Sequence, residues 1–326
     1  MKLDIIIREY SSSDYQDIVN AGYPFNLADL KSRQGWKGWI LKLVYFLARL
    51  DRKVFVAYPT EDRRTVGMVT LIKISDRIWG FWNIFVSSSH RRRGISTQLY
   101  KRCLQYLEKK GVKKLVGTVE IENIASIKSM EKNLFRFLSQ RFYHYSGTVP
   151  PAPSAKTEGI IIRKFHPRDR EALFQIYNRC TNEDWNMSLE ITKKNFLDRF
   201  IGNIYGKGFS KLLFSKRILI AEHNEKIAGY AIVTRKRFLQ KIPDTATLLL
   251  FLPPQISYEV GASFINEIFS DLAMKGVKTI SVYSHAHDKG ATKQILTSLN
   301  MTPKTLMVPI IEFDCIQNVG DVQPKC

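Results

Sequence analysis

Cysteine is scarce: four in 326 residues, Cys103, Cys180, Cys315 and Cys326. They stand too far apart for a disulfide framework or for paired metal-ligand motifs. That excludes a cysteine-built metal centre and fits a reducing, cytoplasmic setting. Long apolar runs are missing too. No segment reaches the roughly 18 uninterrupted apolar residues of a membrane-spanning helix, and residues 1–8 read as a strand rather than a signal peptide. Acidic residues are in short supply, 30 Asp and Glu against 50 Lys and Arg, for a formal charge of +20. The excess is uneven. Residues 1–150 hold 26 basic and 13 acidic side chains, and the remainder 24 and 17. Such a surface attracts a phosphorylated ligand, an acidic substrate or nucleic acid, and it is also what an ordinary soluble basic surface looks like. What the chain does have is 44% hydrophobic residues, enough for two domains with cores of their own.

The chain repeats itself. Ile5-Ile6-Ile7-Arg8 with Asp14 recurs as Ile160-Ile161-Ile162-Arg163 with Asp169. Residues 54–68, ending in Val66-Gly67-Met68, recur as 218–230 with Gly229-Tyr230. Lys110-Gly111-Val112-Lys113 recurs as Lys275-Gly276-Val277-Lys278. Offsets of 155 and 165 residues describe one duplicated unit with an insertion. Between the copies, residues 147–159 contain Pro150, Pro151 and Pro153 and read as an extended linker. The expected organisation is a domain over 1–149, a Pro-rich linker over 150–158 and a second domain of the same fold over 159–326.

Residues 84–97 read Ile-Phe-Val-Ser-Ser-Ser-His-Arg-Arg-Arg-Gly-Ile-Ser-Thr. An apolar strand stops at Val86, a polar turn carries Arg91, Arg92 and Arg93, and a helical pattern starts at Gly94. Leu99, Cys103, Leu104 and Leu107 give that helix one apolar face, and Lys110-Gly111 ends it. A strand over 115–121, Asn123 and a helix over 125–135 follow. A helix start with free N–H groups, a favourable dipole, a glycine and several guanidinium groups binds a diphosphate. The same hexapeptide alone would serve as a solvated turn.

Taken in this order, Arg91-x-x-Gly94-x-Ser96, preceded by Val86 and followed by Asn123, resembles the acetyl-coenzyme A signature of the GCN5-related N-acetyltransferase (GNAT) family. The resemblance implies an α/β fold (an α+β mixed sheet) in two tandem GNAT-like acyl-CoA N-acyltransferase domains. It implies acetyl-CoA as co-substrate, held by Ile84, Phe85, Val86, Arg91, Arg92, Arg93, Gly94, Ile95, Ser96, Thr97 and Asn123. The strand at 81–86 would splay from 118–122 to admit the pantetheine arm, and a strand N–H would polarise the thioester carbonyl. No metal is implied. The acceptor would be a primary amine on a small molecule, a peptide N-terminus or a lysine.

A general base must reach the attacking nitrogen. Glu120 and Glu122 alternate with Ile121 and so share one strand face, and they are the catalytic candidates beside the plainer reading of exposed strand-end carboxylates. His90 is a further proton relay or a solvent-facing turn residue. Where the family commonly places a tyrosine as acid, this chain has Met130, which has no proton to donate; Tyr143 and Tyr145 are substitutes of weaker standing. That departure keeps a non-catalytic acyl-CoA-binding protein in view, and the basic charge keeps a nucleic-acid-associated protein in view. The second copy reads Pro253-Pro254-Gln255-Ile256-Ser257-Tyr258-Glu259-Val260-Gly261 at the turn and has residues 287–289 at the asparagine position, without the arginines. It is expected to be structural. Residues 36–50, apolar but studded with Lys37, Lys42 and Arg49, form either a helix packed beside the sheet or one lying on a membrane surface.

Overall fold

A computed structural model describes residues 4–14, 17, 52–61, 64–150, 159–197, 214–236, 245–285 and 291–313. The 36–50 segment, the linker beyond Pro150, residues 287–289, Cys315 and Cys326 lie outside the described residues. The chain forms two compact units. The first comprises Met1–Thr118, Asn123–Phe137 and Pro309–Cys326, the second Val119–Glu122 and Leu138–Val308.

In the first unit, β1 (Ile5–Glu9), β2 (Arg52–Pro59), β3 (Gly67–Lys73) and β4 (Ile78–Val86) pair antiparallel in sequence order. Helix α1 (Ile95–Lys109) then crosses over to β5 (Lys114–Val116), which lies parallel to β4. Of the apolar stripe expected of α1, Leu99, Cys103 and Leu107 are buried and Leu104 half-buried, and Ile95 and Tyr100 are buried beside them, with the helix packed on β2, β3 and β4. Burial pushes the Cys103 thiol well up, so it stays a neutral core residue. The short helix α2 (Ile124–Lys132) follows.

The second unit repeats the plan. Strands β8 (Ile160–Lys164), β9 (Phe214–His223), β10 (Lys226–Lys236) and β11 (Thr245–Phe251) form the antiparallel part. Helices α3 (Arg170–Cys180) and α4 (Glu183–Ser188) follow β8. Helix α5 (Tyr258–Met274) crosses to β12 (Thr279–His285), parallel to β11, and α6 (Ala291–Ser298) comes after it. Its core gathers Leu248, Leu250, Phe264, Ile268, Leu272 and Val282 around α5. Among the described residues no helix is long and apolar enough to cross a membrane.

Each unit takes a strand from the other half of the chain. Residues 142–148 of β7 (Arg136–Thr148) pair antiparallel with β12, so Gly147 and Thr148 belong to a sheet rather than to the linker. At the far end of the chain, Ile310, Ile311 and Glu312 of β13 (Thr302–Glu312) pair antiparallel with Val116, Leu115 and Lys114 of β5. Leu306 and Met307 of β13 pair with the two-residue strand β6 (Val119–Glu120).

The repeats are visible as matched interactions. Arg8 clamps Asp14 through both nitrogens, at 2.7 and 2.5 Å. Arg163 does the same to Asp169 at 2.7 and 2.8 Å. In both copies the aspartate also accepts a backbone N–H three residues back, from Ser11 and from His166, each at 2.7 Å. The loop leaving the first strand is tied to that strand twice over. Both crossover helices end on a glycine in the left-handed region, Gly111 (φ 66°) and Gly276 (φ 73°). The following valine then donates to the carbonyl five residues back, Val112 to Leu107 and Val277 to Leu272.

The Arg163 hydrogen bonds, with that from the His166 N–H, hold the Asp169 carboxyl below its usual range. A depressed carboxylate pKa contributes stability that is complete above about pH 4 and lost as pH falls through the folded value. Asp169 is only 4% exposed, so Arg163→Ala should lower unfolding free energy by about 3 kcal/mol at neutral pH. Urea unfolding of both proteins should show that penalty shrinking at pH 3. An equal penalty at both pH values would rule out the ion pair as its origin.

Candidate active site

The turn between β4 and α1 is built to leave backbone donors free. Ser87 N–H bonds to Val66, and Ser87, Ser89 and His90 form a small cluster in which the His90 Nδ1 lies 2.9 Å from Ser89 Oγ and 3.3 Å from Ser87 Oγ. His90 is therefore engaged in holding the turn. Arg91 Nε donates to Val86 O at 3.3 Å. Arg92 and Gly94 both adopt left-handed backbone, φ 62° and 75°. Turns of this kind aim successive N–H groups into a common concavity. No side chain caps α1, and its first backbone bond runs from Gln98 N–H to Gly94 O at 3.1 Å. Among the described residues, no acceptor meets the backbone N–H groups of residues 92–97.

Arg91, Arg92, Arg93 and Gly94 are all exposed. A Cβ at Gly94 would have nothing within 4 Å, so the space over the helix start is open. Ile95, 1% exposed, anchors the helix below it; at Gly67 a Cβ would come 3.2 Å from the Ile95 side chain.

Beside the turn, β4 and β5 part. Only Ile78, Trp79 and Gly80 pair with Lys114, Leu115 and Val116. Past them β4 continues to Val86 with β3 as its partner, through a register shift that leaves Trp82 as the extra residue. Phe81 explains the parting. Its ring lies where a side chain at Gly117 would stand, with a Cβ there only 2.1 Å from Phe81 Cζ. The ring is fixed edge-on against Tyr100 (6.2 Å between centroids) and Phe135 (5.4 Å), and those two against each other at 5.3 Å. Ile84, Phe85 and Val86 are thus paired to β3 and lie beyond the three-residue ladder with β5.

Asn123 caps α2, its Oδ1 accepting from Ser126 N–H at 3.2 Å. Ser96 on α1 lies 3.3 Å from Ser129 on α2, oxygen to oxygen, which ties the helix after the basic turn to the Asn123 helix. Met130 is 2% exposed. Glu120 belongs to the second unit, where Lys304 Nζ donates to both its carboxylate oxygens at 2.9 and 3.1 Å. Glu122 is exposed and lies past the end of β6. The strand expected over 115–121 breaks at Gly117 and Thr118, so strand alternation does not set Glu122 beside Glu120. Tyr145 lies in the core of the second unit. His144, stacked on Tyr283 at 4.6 Å, has its pKa lowered by burial, with the nearby Glu120 pulling the other way.

The second copy lacks both features. Ser257 caps α5 through Val260 N–H (3.3 Å), Glu259 occupies the first turn, and the side chain of Ile295 crowds Gly261. The parallel ladder between β11 and β12 runs unbroken from Thr245 and Thr279 to Leu250 and Ser284. The shared framework persists around this difference. A Cβ at Gly67 would meet Phe85 O at 3.1 Å, and one at Gly229 would meet Phe251 O at the same distance.

Residues 13–134 match the sequence profile of the acetyltransferase (GNAT) family. Among solved structures, the fold is similar to that of a GCN5-related N-acetyltransferase from Sphaerobacter thermophilus. The identity is 12%, the TM-score 0.60, and 94% of this chain and 95% of that one are covered. It is also similar to a tandem GNAT protein from the clavulanic acid biosynthesis pathway, with 12% identity, a TM-score of 0.56 and coverage of 95% and 98%. No curated protein sequence matches the chain. The chain carries a GNAT-family acetyltransferase domain. Its fold over the whole length is that of a tandem GNAT protein.

Phe81 and Gly117 are not distinguished by periodicity, although a glycine inside an expected strand is a marker of close approach. Gly117→Ala should displace the Phe81 ring and cost about 1–3 kcal/mol by overpacking. Adding Phe81→Leu should recover part of that cost. Strictly additive destabilisation in the double variant would show that the two positions do not compete for one space.

Proposed function

We propose that the chain is an acyl-CoA-dependent N-acetyltransferase, moving an acetyl group from acetyl-CoA to a primary amine on a small molecule, a peptide N-terminus or a lysine. The observation that carries this reading is the uncapped, arginine-flanked start of α1 next to the parted strands β4 and β5. GNAT enzymes use acetyl-CoA, and the residues here suit it. The N–H groups of residues 92–97 and the Arg91, Arg92 and Arg93 guanidinium groups would take the diphosphate. Backbone groups of Ile84, Phe85 and Val86 would pair with the pantetheine arm, and one N–H there would polarise the thioester carbonyl. Asn123, already a helix cap, would border the arm. The repeat supports assigning 1–149 to the coenzyme-binding copy, 150–158 to a linker and 159–326 to a copy without a site. Cysteine usage fits the cytoplasm.

The amine must lose a proton. Glu120 and Glu122 remain the candidates; Glu120 would first have to exchange its Lys304 partner for the amine. This engagement, with Met130 in α2, favours the second reading, a protein that binds acyl-CoA without turning it over. Release of free thiol from acetyl-CoA in the presence of an amine panel separates the two. Turnover supports transfer, and binding without turnover supports the alternative.

One coenzyme should bind per chain by titration calorimetry, since among the described residues the start of α1 is the uncapped, arginine-flanked one. Gly94→Val should weaken binding at least tenfold, because its side chain would occupy the phosphate space; left-handed backbone adds a folding cost of about 1–2 kcal/mol. Gly94→Asn tolerates that backbone and should weaken binding while sparing stability. Parent-like affinity in both variants would remove the phosphate cradle.

A further inference from the structure

The second copy lacks the coenzyme turn, yet its sheet carries a feature of its own. Strands β10, β11, β12 and β7 lie side by side in that order. Cross-strand partners share a face of a sheet. One face presents Val233, Ala246, Leu248, Ile280, Val282 and Tyr145 to the core of the unit. On the other, Thr234 is opposite Thr247, Thr247 opposite Ser281, and Ser281 opposite Ser146. The row beside it runs through Thr245, Thr279 and Thr148. All seven residues are half-buried or exposed, and among the described residues none of their hydroxyls meets a partner.

A plain solvated face would look different. Charged residues make up 25% of the chain, so seven outward positions would carry about two, and these carry none. A hydroxyl donates and accepts at once. Hydroxyl groups on a ligand use both capacities, whereas a phosphate would use the donors alone and would require guanidinium or ammonium partners. Neighbouring strands stand about 4.8 Å apart, so the four-strand row spans roughly 14 Å, enough for a ring-sized ligand.

Charge appears at one flank of this face. His144 and Tyr283, two residues along β7 and β12 from Ser146 and Ser281, stack at 4.6 Å. Burial lowers the His144 pKa, Glu120 opposes that and Lys304 adds to it, so the three lie close together. Glu120 takes the Lys304 ammonium on both oxygens and is thus already a receptor for a primary ammonium. All of these residues belong to the second unit. We propose that this face binds a polyhydroxylated primary amine, its hydroxyl groups on the Ser and Thr rows and its ammonium on Glu120 in place of Lys304. Resting on the acetyltransferase reading, that amine is the acceptor, a hydroxylated small molecule rather than a peptide N-terminus or a lysine.

The full chain is tested with glucosamine, which has hydroxyls and an ammonium, against cyclohexylamine, which has the ammonium alone. Titrated by saturation-transfer NMR without coenzyme, glucosamine should bind at least tenfold more tightly. Combining Thr247→Val with Thr279→Val removes one hydroxyl from each row and keeps side-chain shape and strand preference. That variant should bind glucosamine roughly ten- to thirtyfold more weakly, since each neutral hydrogen bond is worth about a factor of five. Cyclohexylamine binding, the thermal midpoint and acetyl-CoA affinity should stay at parent values. Equal affinity of the parent for the two amines would overturn the proposal. So would a variant that keeps its glucosamine affinity or loses both amines alike. Acetylation of cyclohexylamine by a protein that does not bind glucosamine would overturn it and leave the acetyltransferase reading standing. Glucosamine binding without thiol release from acetyl-CoA would support the surface and remove the acceptor role.

Discussion

One phenyl ring stands where the parallel ladder of the first unit ends. Phe81 occupies the volume over Gly117, and a parallel ladder that would otherwise zip onward from Gly80 and Val116 stops there. A side chain larger than hydrogen at position 117 would have no place. The parted strand keeps its bonds to β3 on one edge, and past Gly80 no strand pairs with the other among the described residues. In the proposed reading an amide-bearing pantetheine arm would lie along that edge. The aromatic cluster of Phe81, Tyr100 and Phe135 makes the parting rigid, since each ring is held by the other two.

The second copy acts as an internal control. Its Arg–Asp clamp, its glycine against a strand carbonyl and its Lys-Gly-Val helix exit match those of the first copy. These are interactions that close the fold. Among the described residues, a marked difference lies at the crossover and the ladder beside it. Six residues, 252–257, separate β11 from α5, where eight, 87–94, separate β4 from α1. The shorter turn delivers Ser257 as a cap and Glu259 as a like charge toward any phosphate, and the ladder beside it stays shut. The same backbone plan therefore carries both an open, cationic helix start and a closed, capped one. Local turn length, one cap, the arginines of 91–93 against Glu259, and one aromatic wedge separate them among the described residues.

What is local is legible in the chain itself. The repeats read directly as strand, clamp and helix exit because each rests on residues within about six positions of one another. The basic turn after Val86 and the apolar stripe of α1 are likewise short-range patterns. Distant partners are not legible. Glu120 reads as an exposed strand-end carboxylate until Lys304, 184 residues away, takes both its oxygens. Gly117 reads as one residue of a strand running to Ile121, yet it ends one strand so that Phe81 can lie over it. Strand pairing has the same character: period-two alternation says which face is buried, but not which strand lies alongside.

That last point bears on why a closed second copy is present at all. Strand β5 in the first unit is flanked on its outer edge by Ile310, Ile311 and Glu312, and Glu312 forms ion pairs with Lys114 and Arg136. Without these residues β5 would present an unpaired edge directly beside the gap, and a three-residue parallel contact with β4 would be its sole ladder. The second unit is indebted in the same way, since β12 has residues 142–148 of β7 along its edge. Exchange of equivalent strands between tandem copies makes each the completion of the other. A copy with a capped crossover helix still lends a strand: where β4 and β5 part, β5 is held from its far side by β13.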